Sequence, residues 1–116
     1  MKAKDAGPDG LEAPEGIDPV IVRPDHPVLS DLTSALPFVL GMNRVHARSE
    51  AEATTLVHCP YQDRNLPLLS TRDYKAGRSL AWMTDIGPHW LSDEFMRWGG
   101  YDTLMANMVR WLAREL

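Results

Sequence analysis

Leu66-Pro67-Leu68-Leu69-Ser70-Thr71-Arg72-Asp73-Tyr74 and Ser79-Leu80-Ala81-Trp82-Met83-Thr84 flank the short connection Lys75-Ala76-Gly77. Apolar, β-branched and aromatic residues dominate both flanks, and a connection this short between them predicts a hairpin, with Gly77 as the residue free to take positive φ. Upstream, Ala53–Cys59 carries Thr54, Thr55 and Val57 and runs into Pro60, with polar residues from Tyr61 to Asn65 behind it. That is a strand followed by a loop. Val20-Ile21-Val22 adds a short strand, and Pro24 and Pro27 exclude a helix after it, because proline restricts its predecessor as well as itself. A β-meander of about four strands results. Ser30-Asp31-Leu32-Thr33 predicts one helical turn before Pro37, and Arg44–Arg48, after Phe38-Val39-Leu40-Gly41, predicts a further strand.

Beyond Asp85 the pattern changes period. Ser92 is placed as an N-cap, Asp93 and Glu94 fall in the first turn where the helix dipole favours negative charge, and Gly99-Gly100 stops the segment. From Tyr101 to Leu116 the residues Tyr101, Leu104, Met105, Met108, Val109, Trp111, Leu112 and Leu116 recur three and four apart. This predicts a long amphipathic helix that lays its stripe on the meander. At the other end, residues 1–16 mix Gly, Pro and charge with few bulky apolar side chains, and predict a flexible arm preceding an ordered 17–116.

With 116 residues, 44% hydrophobic and 24% charged, the chain is sized for one core. A net charge of -4 with scattered Lys and Arg argues against nucleic acid, and no run approaches the ~20 apolar residues of a membrane span. Cys59 is the only cysteine, so no internal disulfide or Cys-rich zinc site forms, and a cytoplasmic setting is expected.

The order Pro67-Leu68-Leu69, Gly77-Arg78, Thr84-Asp85-Ile86-Gly87-Pro88-His89-Trp90, Phe95, Trp98-Gly99-Gly100-Tyr101 and Val109-Arg110-Trp111-Leu112 resembles the putative glutamine amidotransferase family. His26-Pro27 and Gly41-Met42-Asn43 are similar to its upstream landmarks, so the likeness covers about residues 18–116. Lys75-Ala76 stands where the family usually places another glycine. The resemblance implies a class I glutamine amidotransferase-like, flavodoxin-like three-layer α/β fold, of which this chain would hold the C-terminal half: the meander, a short helix and the long closing helix. It also implies an unfinished sheet, hence a homo-oligomer or a partner subunit that covers it.

Glutamine hydrolysis in that class requires a cysteine on a tight elbow and a histidine backed by a carboxylate. Cys59 lies between His58 and Pro60, and Pro60 lacks the N–H that would serve as an oxyanion donor. Cys59 therefore reads as a structural thiol, and no complete Cys-His-Glu triad is expected. Asp85, His89 and Trp90 follow the last strand, where open α/β sheets bind ligands, and Asp85 and His89 are the catalytic candidates. Two readings stand for them: a carboxylate orienting an imidazole, or a loop in which Asp85 caps backbone amides and Trp90 plugs the core. His26 and Asn43 complete the candidate ligand-binding set with Asp85, His89 and Trp90. No metal and no cofactor is expected, because the four histidines form no His-x-His or His-x3-His pair. The four tryptophans read as core more than as a sugar-stacking platform, and Arg72 and Arg78 flank the hairpin either to hold an anionic substrate or as edge residues that keep it soluble. The function classes are a partial amidotransferase-like domain without glutaminase activity of its own, a non-catalytic module that docks a partner chain through its sheet edge, and a small-molecule hydrolase built on the His89 rim.

Overall fold

The computed structural model describes residues 4–5, 10–44, 53–87 and 89–116. They form two antiparallel sheets, one short 3-10 turn and two α-helices. The first sheet runs β1 (Lys4–Asp5), β2 (Gly10–Ile17), β4 (Val39–Asn43). The second runs β3 (Val20–Ile21), β5 (Thr54–Tyr61), β6 (Arg64–Tyr74), β7 (Gly77–Trp82).

The expected hairpin is present, with Asp73 opposite Arg78 and Leu69 opposite Trp82. Its turn differs in one respect: Lys75, not Gly77, takes the positive φ (53°), and Gly77 already belongs to β7. In β6 the four residues Leu66 to Leu69 are all buried, which a strand achieves only where both of its faces are covered. Pro67 is tolerated in this inner strand because it pairs with His58 beside a register shift, the place where a missing N–H leaves no gap in the ladder.

The flexible arm expected over residues 1–16 is corrected for residues 10–16. They form β2 with Ile17, and Leu11, Ala13 and Ile17 are buried against β4. Few apolar side chains suffice there because the backbone of an existing strand supplies the pairing. Gly16 makes the bend in β2, with φ of 88° and the Phe38 ring where a side chain would stand. The helical turn predicted at Ser30–Thr33 lies instead at Pro27–Leu29, where His26 is the N-cap and Pro27 occupies the first turn. Proline excludes helix interiors, not helix starts. Val39–Asn43 form β4, and of the strand predicted at residues 44–48, residues 45–48 lie outside the described residues.

Ser92 caps α1 (Asp93–Arg97), its Oγ accepting from the Phe95 N–H at 3.1 Å and donating to the Phe38 carbonyl at 2.7 Å. The closing helix α2 (Tyr101–Leu112) ends four residues short of the expected Leu116, and Arg114 beyond it takes a left-handed φ of 62°. Leu104, Met108 and Trp111 are its buried stripe. Asn107 donates to the carbonyls of Val28 and Ser30, tying α2 to the 3-10 turn. Arg78 is more than a soluble edge residue: it donates to the carbonyls of Trp111 and Leu116 and sits 4.7 Å from the centre of the Trp111 ring.

The two sheets are stitched by the segment after β7. The Asn43 N–H donates to the Met83 carbonyl at 2.7 Å, the Leu40 N–H donates to the Trp90 carbonyl at 2.6 Å, and Val39 bridges Leu91. Met83, Trp90 and Leu91 thus bond the backbone of β4 to the segment that follows β7.

Candidate functional site

The loop from Thr84 to Trp90 is the rim that the sequence singles out, and its shape is set by side chains bonding to backbone. The Asp85 carboxylate accepts from the Trp90 N–H at 3.0 Å, while the Asp85 carbonyl accepts from the Trp82 indole N–H at 2.9 Å. Thr84 donates its hydroxyl to the Gly41 carbonyl at 2.7 Å, and the Tyr101 hydroxyl donates to the Ile86 carbonyl. These four bonds tether Thr84, Asp85, Ile86 and Trp90 to their surroundings. The loop encloses an open concavity of about 390 Å³ lined by Asp85, Ile86, Gly87 and His89. Ile86 projects from it, 71% exposed.

Of the two readings of Asp85, the arrangement favours the capping one. Its carboxylate is engaged by the Trp90 amide, and among the described residues no hydrogen bond joins it to His89. His89 is exposed and its ring stacks on Trp90 with centroids 6.1 Å apart and planes 23° from parallel. Trp90 lies flat over Gly41: a β-carbon there would fall within 2.4–2.7 Å of three indole atoms. Its indole nitrogen is buried with no hydrogen-bond partner among the described residues. A glycine between Leu40 and Met42 in a strand was the available signal of this close approach. Trp82 and Tyr101, which anchor the loop through carbonyls, carry no such local signal.

The structure brings Asn43 toward this rim only through its backbone, since β4 runs beside residues 83–91 and the Asn43 side chain is exposed. His26 does not join it. Its ring lies 5.3 Å from Trp111 on α2, and its cleft, about 460 Å³, is lined by Val22, Arg23, Pro24, Asp25 and Thr54. The five sequence-selected residues therefore fall in two places. Asp85, His89 and Trp90 share the rim with the backbone of Asn43, and His26 stands at the far end of the closing helix.

Cys59 is 0% exposed in β5, paired with Leu66, and burial together with the charge of Asp18 pushes its thiol up to about 12. A thiol so placed is sealed from solvent and favours its protonated form at neutral pH, unlike the exposed, low-pKa thiols that serve as nucleophiles. Among the described residues no three His, Cys, Asp or Glu side chains converge as a metal site, and no helix is long and apolar enough to cross a membrane.

Two antiparallel sheets, a short capped helix and a longer closing helix, joined through a rim tethered at Thr84, Asp85, Ile86 and Trp90, define a mixed α/β unit. The model of the family described as "Putative glutamine amidotransferase" matches residues 5–114, and the chain belongs to that family. Two solved structures are similar to it. Cytoplasmic Protein STM3548 from Salmonella typhimurium is 32% identical with a TM-score of 0.79, over 97% of this chain and 43% of that one. Cytoplasmic Protein STM1381 from Salmonella typhimurium LT2 is 28% identical with a TM-score of 0.77, over 90% of this chain and 40% of that one. The chain thus spans less than half the length of either. No match is found among curated proteins.

Proposed function

We propose that this chain is a partial glutamine amidotransferase-like domain that does not hydrolyse glutamine by itself. The observation that carries this reading is Cys59: the single thiol is sealed in a β-strand and held protonated. Acyl transfer from glutamine needs a thiolate within reach of a base and of oxyanion donors, and Cys59 has an exposed proline after it instead of a donor N–H. The expected result is no ammonia released from glutamine above buffer by purified protein, in a coupled glutamate dehydrogenase assay. Ammonia release that disappears in Cys59→Ala would overturn the reading. The substrate class stays open in this proposal, and a cytoplasmic location is part of it, supported by the names of the two Salmonella proteins.

The second reading, a module that docks another polypeptide, rests on a separate observation. Besides its buried stripe, α2 carries Met105, Val109 and Leu112, with Leu116 beyond its end, in steps of four, three and four along one flank. Met105 and Leu116 are partly buried, but Val109 is 66% and Leu112 42% exposed, so the apolar arc of the helix is wider than the meander covers. Its occupant in this reading is a companion segment equivalent to the part of the STM3548 chain outside the match, with which the flavodoxin-like three-layer arrangement would be completed. That chain continues for more than half its length outside the match, which supports a companion over a second copy. The test is retention of this chain by that segment, expressed separately and tagged. Stoichiometric retention of wild type and its loss in Val109→Glu/Leu112→Glu are expected. No retention, equal retention of both, or a concentration-dependent dimer of the chain alone on light scattering would sink it.

A further inference from the structure

His26 is built into the packing between the 3-10 turn and α2. Its Nδ1 accepts from the Val28 N–H at 3.1 Å, capping the Pro27–Leu29 turn, which fixes the neutral tautomer with the proton on Nε2. The ring leans on Trp111 of α2, and the Arg78 guanidinium lies over the same indole at 4.7 Å. We propose that His26 is a pH-operated latch that caps the Pro27–Leu29 turn against the closing helix when neutral and loosens that contact when protonated.

The chemistry follows from one proton. Adding it at Nδ1 turns the acceptor facing the Val28 amide into a donor, so the cap is lost, and a second cation appears beside Arg78. The imidazolium would gain attraction to the Trp111 ring, but the two rings are tilted and Arg78 already uses the indole. The lost cap together with like-charge repulsion outweighs it. The charged groups around the ring agree. On the β6–β7 hairpin stand Arg78 and Asp73, the latter exposed and 3.5 Å from the Arg78 Nε. From α2 the ring meets the uncharged Trp111, with Asn107 holding the turn behind it. Further along, Arg110 pairs with Glu115 and Arg114 donates to the Ala76 carbonyl. On its own segment Arg23 and Asp25 line the same cleft. Burial, then Arg78, lower the His26 pKa, with Asp73 opposing.

The sign is therefore fixed. The unfolded chain takes up the proton near pH 6.5 and the folded chain only below it, so stability is lost as pH falls through about 6.5 and levels off beneath the folded-state value. Release would widen the cleft beside His26 at the foot of α2.

Hydrogen exchange of the Val28 amide, corrected for intrinsic rate, and the thermal midpoint are to be measured at pH 7.5 and 5.5 for wild type and His26→Asn. Asparagine keeps a capping oxygen without titrating. Wild type is expected to lose Val28 protection several-fold and to melt a few degrees lower at pH 5.5, while H26N changes less on both counts. Equal pH responses of the two proteins would overturn the latch. Should H26N fold poorly, the proton resonance of the His26 ring in wild type decides instead: a midpoint below about 6.5 supports the latch, and one at or above it removes it.

Discussion

Phe95→Ala is expected to lower the free energy of unfolding by about 3–5 kcal/mol, measured by urea denaturation followed by circular dichroism. Phe95 is fully buried and is met edge-on by three rings: Trp82 at 6.2 Å, Trp98 at 5.5 Å and Tyr101 at 6.4 Å. Truncation removes the ring's own burial, leaves a cavity the three rigid neighbours cannot close, and forfeits edge-to-face contacts. A domain of this size has about 5–15 kcal/mol in hand, so the variant approaches the limit of folding. The damage also reaches the rim, because Trp82 and Tyr101 are the side chains that hold the carbonyls of Asp85 and Ile86. Phe95→Leu, which keeps most of the volume, should cost distinctly less. A loss below about 1 kcal/mol for the alanine variant would mean that the aromatic cluster repacks and that the rim does not depend on it.

That cluster marks what could and could not be read in the sequence. Ser92, Asp93, Glu94 and Phe95 announce α1 locally, since a cap, two first-turn acids and a buried ring lie within four residues. The β6–β7 hairpin is equally local. In contrast, β2 carries Gly10, Pro14 and Gly16 and looks like an arm; only pairing with β4, some thirty residues away, makes Leu11 and Ile17 core residues. Pro27 reads as a barrier to helix in the sequence yet stands at a helix start, because the cap before it is a histidine and not one of the usual small polar residues. At the rim, the segment Asp85–Trp90 was legible as a unit, and so was the option that Asp85 serves as a cap. The anchors from Trp82 and Tyr101 were not, because each is an apolar-compatible residue whose polar contact exists only in three dimensions. The expectation that His26 joins the rim rests on spacing along the chain, which does not give distance, and the ring packs on Trp111 of α2 instead.

The remaining large effect belongs to the side chain that closes α2 over the turn. Asn107→Leu should cost about 2–4 kcal/mol, although leucine matches asparagine in size and raises local hydrophobicity. The reason is accounting of acceptors. The Asn107 amide donates one proton to the Val28 carbonyl at 3.1 Å and the other to the Ser30 carbonyl at 2.8 Å, and Asn107 and Val28 are buried. Leucine strands both acceptors away from water, and an unmet buried group costs about 1–3 kcal/mol, more than the net gain from one added apolar side chain can offset. Asn107→Asp sharpens the test, because an ionised carboxylate sets negative oxygens against two carbonyls. Protonation restores one donor, so that variant alone should gain stability as pH falls toward 4. Urea titrations of the three proteins at pH 7.5 and 4.5 separate the cases. Leucine costing under about 0.5 kcal/mol would mean that the turn and α2 are held by packing alone. Because these two bonds do not titrate, they also define the part of the contact that persists when His26 is protonated: the turn loosens from its cap but stays tethered through Asn107.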